Sequence, residues 1–320
     1  MMKAIQLSTF GGPEVLKLVD IPVPEPGPGQ VRVCVKAAGV NPVDTYWRSG
    51  ANPTLSLPLT PGLDGAGLVE SLGPSVTEFA VGDLVYFGGW LTGAYAEKAV
   101  LRVSQLHALP AGVTFQQGAA LHVPYATAHR ALFHRAGARA GDVILIHGAS
   151  GGVGLAATQF ASAAGMTVIG TAGTERGRQL VEAQGARYVL DHTEPHYLNR
   201  IPELTGGRGV DVVLEMLANV NLAKDLPLLS RGGRVIVIGS RGKIEITPRD
   251  VMMREADIRG LSLFNVADDD LRSIHAAIAS GLHCGVLKPI IRDELPLSEA
   301  ARAHTKVLEP GAVGKILLIP

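Results

Sequence analysis

An apolar run that ends in a glycine-rich turn constrains the fold of this chain more than any other feature. Residues 143–146 are apolar, four glycines follow between positions 148 and 154, and residues 155–161 have a helical pattern. A glycine turn between a strand and a helix lets backbone N–H groups approach the phosphates of a dinucleotide, which the positive end of the helix dipole also favours. The match to the G-x-G-x-x-G fingerprint is imperfect, because Ala149 stands at the first glycine position.

Strand-like and helix-like segments alternate after residue 142. Helical patterns at 177–184 and 222–229 separate apolar runs that are rich in β-branched residues. Such alternation is typical of βαβ units with right-handed crossovers, so it predicts an α/β fold with a parallel, doubly wound Rossmann sheet. The predicted strands cover residues 143–146, 167–171, 188–190, 210–214, 234–238 and 258–263.

The first third of the chain has a different character. It is rich in proline and glycine and carries short β-type runs, for example at 31–36, 67–72 and 83–87, which favour an antiparallel, barrel-like domain. The later alternation ends near residue 264, and a last strand-like run covers 314–319. We therefore expect one domain of residues 1–122 and 266–320 and a dinucleotide-binding domain of residues 123–265.

Composition narrows the class of protein. The 29 basic residues equal the 29 acidic ones, so no overall field recruits nucleic acid or an anionic membrane. No apolar run approaches the roughly 18 residues that span a bilayer. Cys34 and Cys284 are the only cysteines, which indicates a reducing compartment rather than a disulfide framework. We expect a cytoplasmic enzyme.

The second predicted strand of the dinucleotide domain indicates which dinucleotide binds. NAD sites commonly hold the ribose 2′-OH with an acidic residue at the tip of this strand, but residues 171–174 include none. A carboxylate there would repel the 2′-phosphate of NADPH, so its absence favours NADPH. Candidate phosphate partners are the hydroxyl and basic residues Thr171, Arg176, Arg178, Ser240 and Arg241. Arg176 and Arg178 are equally compatible with a solvated helix face.

Two positions in the first domain resemble the medium-chain dehydrogenase/reductase superfamily, but without its catalytic zinc ligands. The zinc alcohol dehydrogenases of that group carry cysteine after Gly-Val and histidine in Gly-His-Glu, whereas this chain has Asn41 and Leu63. Leucine is no zinc ligand, and two cysteines 250 positions apart are too few for the structural zinc lobe. We expect no metal.

Within that superfamily the chain resembles the ζ-crystallin-like NADPH:quinone oxidoreductases over nearly its whole length. The most specific motifs are Leu-Ala-Asn-Val-Asn-Leu at 217–222 and Gly-Ser-Arg-Gly at 239–242. The remaining matches are at 10–18, 39–43, 147–155, 215–216 and 248–250. The resemblance implies a GroES-like domain beside the Rossmann domain, with NADPH bound in the cleft between them.

The resemblance also assigns site residues by position. It implies pyrophosphate contacts along the glycine turn, adenosine contacts at Gly173 and His192, and contacts along the strand ends as far as the nicotinamide. Tyr46 would cover the cofactor, and Asn41 and Tyr46 are the candidates to hydrogen-bond an acceptor oxygen. The other implied cofactor residues are Ser150, Gly151, Gly152, Val153, Asn221, Ile238, Gly239, Ser240, Arg241, Leu261, Ser262 and Leu263.

Several of these residues also have a purely structural interpretation. Tyr46 is compatible with ordinary packing of its segment, and His192 with a surface position. Asn219 and Asn221 are both suited to cap the helix that contains Leu222, since asparagine is a favoured cap. A packing role explains Arg241 poorly, because glycines flank its Ser-Arg pair.

The implied function is zinc-independent reduction of quinones by NADPH, by one-electron transfer. Without a metal to polarise a carbonyl, the acceptor should already be electrophilic, as quinones and conjugated carbonyls are. The alternatives are an NADPH-dependent alkenal or enone reductase and, from another class, a structural crystallin-type role or binding to AU-rich RNA. Balanced charge and the lack of an aromatic-basic stripe argue against RNA. The superfamily implies a homodimer or homotetramer.

Overall fold

The computed structural model describes residues 1–52 and 54–320. Its strands are β1 (Met2–Gln6), β2 (Lys17–Ile21), β3 (Gln30–Val40), β4 (Asp64–Leu72), β5 (Leu84–Gly88), β6 (Lys98–Arg102), β7 (Leu106–Ala108), β8 (Val143–Ile146), β9 (Thr167–Thr171), β10 (Tyr188–Leu190), β11 (Val210–Glu215), β12 (Leu229–Val237), β13 (Asp257–Gly260), β14 (Ile291–Pro296) and β15 (Lys315–Ile319).

The α-helices are α1 (Pro42–Arg48), α2 (Phe115–Gly118), α3 (Thr127–His129), α4 (Gly152–Ala163), α5 (Glu175–Ala183), α6 (Ile201–Leu204), α7 (Ala218–Asp225), α8 (Pro248–Arg254), α9 (Asp268–His283) and α10 (Ala300–Lys306). π-helical segments flank α3 at His122–Ala126 and Arg130–Ala136. Across the described ranges, no helix is both long and apolar enough to cross a membrane.

The chain forms two compact units. The first contains residues 1–123, 288–309 and 314–320, and the second contains residues 124–287 and 310–313. The chain therefore returns to the first unit at Lys288. The sequence had led us to expect this return at residue 266. The regular alternation of strands and helices does end with β13, but α9 still follows within the second unit.

The first unit is built on a seven-stranded sheet. Its strand order is β14-β15-β3-β4-β5-β7, and β6 also pairs with β3. All pairs are antiparallel except β14 with β15. In the first half of β3 every second side chain is buried, among them Val31, Val33 and Val35, which is the alternation expected of a strand with one face on the core.

The second unit is a Rossmann sheet of six parallel strands in the order β10-β9-β8-β11-β12-β13. The side chains of Ile144, Leu145 and Ile146 on the central strand β8 are fully buried, as is typical of parallel strands covered on both faces. The strand order reverses between β8 and β11, and ligands of such folds bind outside the carboxyl ends of the strands at this point. The prediction of a parallel doubly wound sheet is confirmed.

The departure from the glycine fingerprint has a backbone explanation. Gly148, one position before Ala149, adopts the left-handed conformation that the tight turn needs. Ala149 is fully buried, and a Cβ atom on Gly154 would lie 2.5 Å from its Cα. The close approach of helix and strand therefore depends on Gly154, while the turn depends on Gly148.

We expect Gly154→Ala to destabilise the second unit by about 1–3 kcal/mol, because the added methyl meets backbone atoms that must move. Thermal unfolding followed by circular dichroism measures the loss. Gly260→Ala is the control, since a Cβ atom at Gly260 has no neighbour within 4 Å among the described residues. Equal melting temperatures for the two variants would contradict this account of the helix approach.

Candidate functional site

The glycine turn connects the end of β8 to the start of α4. Gly148 has φ +57°, and its N–H donates to Oγ1 of Thr171 at 3.1 Å. The N–H groups in the first turn of α4 have no carbonyl partner within the helix, and the helix dipole gives this end about half a positive charge. The turn therefore fits a phosphate.

The four residues predicted to hold the pyrophosphate all lie in this turn. Ser150 is buried, and its hydroxyl donates to the carbonyl of Ala312 at 2.6 Å. Gly151, Gly152 and Val153 are half-buried. Ser150 therefore keeps its backbone N–H and its oxygen lone pairs for a ligand, while its hydroxyl proton is already engaged.

A cavity of about 300 Å³ lies beside the turn at the carboxyl edge of the parallel sheet. Its lining includes His192 and Asn221, two of the predicted cofactor residues, together with Gly148. A Cβ atom on Gly173 would lie only 2.6 Å from Nε2 of His192. Glycine at position 173 thus leaves the room that the histidine occupies.

The remaining predicted cofactor residues follow the next two strands at the same edge. Ile238 and Gly239 continue from β12, and both donate their N–H to the carbonyl of Glu215, at 2.9 and 3.2 Å. A Cβ atom on Gly239 would lie 2.4 Å from the carbonyl oxygen of Met216, so the two loops touch here. Ser240 and Arg241 are exposed, and Leu261, Ser262 and Leu263 are half-buried after β13.

Neither asparagine of the Leu-Ala-Asn-Val-Asn-Leu motif caps a helix. The interpretation of Asn219 and Asn221 as caps is wrong, because α7 begins at Ala218 and both residues lie inside it. Oδ1 of Asn219 accepts the N–H of Arg241 at 2.8 Å. Nδ2 of Asn221 donates to Oε1 of Glu215 at 3.2 Å. The motif therefore orders the Gly-Ser-Arg-Gly loop and the cavity wall.

A buried ionisable cluster behind the cavity was missed by the sequence analysis. Nε2 of His147 lies 2.7 Å from Oδ1 of Asp225 and 3.5 Å from Oε2 of Glu215. Both carboxyl groups are fully buried. His147 directly follows β8, and Glu215 is the last residue of the adjacent apolar strand β11; these positions are the signal that could have revealed them.

Two residues of this cluster have raised pKa values. Burial, together with the nearby Asp225, raises the pKa of Glu215 to about 7, against the opposing charge of His147. Burial alone would lower the pKa of His147, but the hydrogen bond and charge of Asp225 and the charge of Glu215 raise it above its ordinary value. The imidazolium is therefore favoured, and Glu215 titrates near neutrality.

The candidate partners of a 2′-phosphate differ in their surroundings. Arg178 forms ion pairs with Glu175 at 2.7 Å and with Asp191, so its charge is already balanced. Thr171 is fully buried, and its hydroxyl oxygen accepts the N–H of Gly148. Arg176 and Arg241 are exposed.

In the first unit, Asn41 belongs to a buried charge network. Nζ of Lys315 donates to Oδ1 of Asn41 at 2.5 Å and to Oδ2 of Asp64 at 2.8 Å. Nδ2 of Asn41 donates to Oδ2 of Asp64 at 2.9 Å, and the N–H of Val123 donates to Oδ1 of Asp64 at 2.9 Å. Asn41 is 3% exposed. Its predicted contact with an acceptor depends on the second hydrogen of its amide.

The network continues through α1. Oδ2 of Asp44 accepts the N–H of Asn41 at 2.8 Å and the hydroxyl of Tyr95 at 3.0 Å. Burial raises the pKa of Asp44 to about 7. The Tyr95 hydroxyl also contacts Nε2 of His304 at 3.2 Å. Tyr46, on the same helix, is half-buried, and its carbonyl accepts the hydroxyl of Ser49 at 2.9 Å; its role stays a prediction.

These residues do not fit a zinc ion at the two positions discussed above. Leu63 is buried and offers no ligand atom, and the oxygen of Asn41 already accepts a bond from a cation, Lys315. The ammonium group supplies positive charge against Asp64.

Comparisons with known proteins agree with this architecture. Residues 27–111 match the alcohol dehydrogenase GroES-like domain, and residues 152–280 match the zinc-binding dehydrogenase family. Each match falls on one of the two units, and the two families together are those of the medium-chain dehydrogenases/reductases.

More specific similarity comes from full-length relatives. Human quinone oxidoreductase is 48% identical, with all of this chain and 98% of that protein covered. The Escherichia coli quinone oxidoreductase solved with NADPH has a TM-score of 0.91 at 31% identity, covering 99% of this chain and all of the other. A mycobacterial protein solved with NADPH has a TM-score of 0.93 at 32% identity, with both chains fully covered. The chain belongs to the quinone oxidoreductase family.

We expect Lys315→Met to cost about 3–5 kcal/mol of unfolding free energy, because it leaves the buried Asp64 without its cation. The double variant Asp64→Asn/Lys315→Met should recover much of this loss, since it removes both charges together. Chemical denaturation of both variants measures the difference. If the single variant proves as stable as the double variant, the ion pair is not what holds this network.

Proposed function

We propose that this protein reduces quinones with NADPH and without zinc. The observation that carries the proposal is the glycine turn at 148–154, which opens α4 beside a cavity at the carboxyl edge of the parallel sheet. The full-length similarity to quinone oxidoreductases supports the choice of substrate class.

Binding of NADPH would use the groups described at that edge. The turn at Ser150, Gly151, Gly152 and Val153 would hold the pyrophosphate, with N–H groups at the start of α4 donating to it, and Gly173 with His192 would contact the adenosine half. Asn221, Ile238, Gly239, Ser240 and Arg241 would follow the strand ends, with Leu261, Ser262 and Leu263 near the nicotinamide and Tyr46 covering it. The bound cofactor would supply the reducing electrons, and the chain orientation and charge.

The charges near the tip of β9 favour NADPH over NADH. Residues 171–174 at the tip of β9 include no acidic side chain, and Glu175 is paired with Arg178. Arg241 lies exposed in the loop that Asn219 orders, where a guanidinium suits a phosphate.

The side chains of the first unit favour a quinone as the electron acceptor. With Asn41 and Leu63 in place of zinc ligands, no Lewis acid polarises a carbonyl at these positions, so an already electrophilic quinone is favoured. Asn41 and Tyr46 would hydrogen-bond its oxygen. We propose one-electron transfer, for which no dedicated proton donor is required.

We further propose a cytoplasmic homo-oligomer. Both cysteines are free thiols, as expected in a reducing compartment. β13 lies at the edge of the Rossmann sheet, and Ile258, Met252 and Phe264 near it are exposed apolar side chains. An exposed edge strand of this kind suits pairing with a second copy. AU-rich RNA is not expected to bind.

Oxidation of NADPH at 340 nm tests the function. We expect turnover with 1,2- and 1,4-quinones, slower or no turnover with an enone, and none with an alcohol plus NADP. Added zinc or a chelator should leave the rate unchanged. Turnover of the alcohol alone, or loss of activity to the chelator, would refute the proposal, and a preference for the enone would replace it with the alkenal reductase alternative.

The 2′-phosphate contact predicts that Arg241→Ala raises the KM for NADPH by roughly tenfold or more and leaves that for NADH nearly unchanged, as loss of one charge-assisted hydrogen bond requires. Steady-state kinetics with both nucleotides measure the ratio. Lys243→Ala is the matched control, because it removes one exposed positive charge two residues away in the same loop. An unaltered preference in Arg241→Ala would count against the assignment.

A further inference from the structure

The cluster of His147, Glu215 and Asp225 is a buried group of three ionisable side chains. Glu215 and Asp225 are fully buried. One nitrogen atom of His147 and one carboxylate oxygen of each acidic residue lie within 4.8 Å of one another. Among the described residues, Oε2 of Glu215 and Oδ2 of Asp225 accept no hydrogen bond. Two ionised carboxylates and one imidazolium would leave a net negative charge in a buried site, which is costly.

Glu215 links this cluster to the cavity wall. Its Oε1 accepts the backbone N–H of Leu217 and Nδ2 of Asn221, the latter at 3.2 Å. Its backbone carbonyl accepts the N–H groups of Ile238 and Gly239. Leu217 and Asn221 line the cavity, as do His147 itself and Gly148 of the glycine turn. His147 of the cluster directly precedes Gly148, the first residue of the glycine turn.

We propose that the cluster of His147, Glu215 and Asp225 is a proton-linked positioning device that makes dinucleotide affinity fall as the pH rises through neutrality. This inference rests on the proposed function, since it assumes a dinucleotide at the glycine turn. Glu215 is a positioning residue: it acts through Asn221 and Leu217 and through its charge. In the protonated state the cluster is neutral, and in the deprotonated state it carries one negative charge beside an anionic ligand.

The sign of the effect follows from linkage. The pKa of Glu215 is about 7 in the protein without ligand, and a bound anion nearby raises it further. Below that pKa the free protein and the complex are both protonated, so affinity is highest. As the pH rises above 7 the free protein loses the proton first, and affinity falls until the complex also loses it. Binding near pH 7.5 therefore takes up a fraction of a proton.

Other charged groups face the cluster and set its midpoint. Lys224 opposes protonation of His147. The hydroxyl of Tyr197 has its pKa raised to about 12 by burial and by Asp225 and Glu215, so it stays neutral. Burial lowers the pKa of His192, with Asp191 opposing and His147 assisting. None of these pKa shifts brings Tyr197 or His192 to a titration above pH 7, so the charge change there lies within the cluster, where Glu215 has a pKa of about 7 and His147 a raised one.

Titration of NADPH and of NADH into the protein between pH 6 and 9 tests the proposal, with quenching of intrinsic fluorescence as the signal. NADH is the decisive probe, because the 2′-phosphate of NADPH has its own pKa near 6. We expect the Kd of the wild-type protein for NADH to rise by roughly three- to tenfold over this range, as one added charge at an effective dielectric near 20 implies. Calorimetry in two buffers of different ionisation enthalpy should detect proton uptake near pH 7.5.

Glu215→Gln keeps an oxygen that accepts from Leu217 and Asn221 but removes the titration, so its Kd should vary little with pH and its proton uptake should vanish. Asp225→Asn should shift the transition below pH 7, because the like charge beside Glu215 is gone. Asp211→Asn is the matched control. Asp211 lies near the other end of β11, paired with Arg208 at 2.6 Å, and its variant should keep the wild-type pH dependence even if its melting temperature falls.

The outcomes separate the two proposals. If the wild-type protein binds neither nucleotide, the proposed function fails. If it binds NADH with a Kd and a proton uptake that Glu215→Gln leaves unchanged, the function stands and the present inference is overturned. Should Glu215→Gln fail to fold by circular dichroism, Asp225→Asn decides alone: a transition that stays at its wild-type midpoint refutes the proton-linked cluster.

Discussion

The common direction of six parallel strands is the constraint on which the second unit depends. Because β8, β9, β11, β12 and β13 all end at one edge, every loop that follows them begins there. Each loop brings backbone groups without partners in the sheet, and each needs either a side chain or a ligand to satisfy them. In the glycine turn, Thr171 and the carbonyl of Gly148 accept three of the N–H groups, and those at the start of α4 remain for a ligand, whereas the loop after β11 uses Glu215.

The first unit solves a different electrostatic problem. Asp64 enters the sheet at the first residue of β4 and is fully buried, so its charge must be met inside the protein. Lys315, the amide of Asn41 and the N–H of Val123 meet it from three separate segments. This arrangement fixes the start of α1, because Asp44 in turn holds the N–H of Asn41. The position of Tyr46 on that helix is thus a consequence of a charge buried elsewhere in the unit.

Local patterns were sufficient for much of the fold. The strands predicted at 143–146, 167–171 and 188–190 have the bounds of β8, β9 and β10, because short runs of mostly apolar, strand-favouring residues flanked by turn residues leave little choice. The π-helical segments at His122–Ala126 and Arg130–Ala136 were not predicted, since apolar spacing does not distinguish i→i+4 hydrogen bonds from i→i+5 ones. The glycine turn was predicted for the same local reason as the strands. Lys315, however, lies 251 positions from Asp64, and Asp225 lies 78 positions from His147, so neither pairing leaves a trace in neighbouring residues.

The origin of Lys315 in the last strand has a consequence for how the protein is made. β3 and β4 emerge from the ribosome early, with Asp64 among them, while β15, which pairs with β3 through Leu318 opposite Ala38, follows only after the whole Rossmann unit has been synthesised. Until then the first sheet lacks two strands, β14 and β15, and the cation of its buried carboxylate. The strands of the Rossmann unit follow one another along the chain, so its sheet does not depend on a strand that is synthesised later. Translation therefore imposes an order in which the second unit along the chain is the first able to reach its native state.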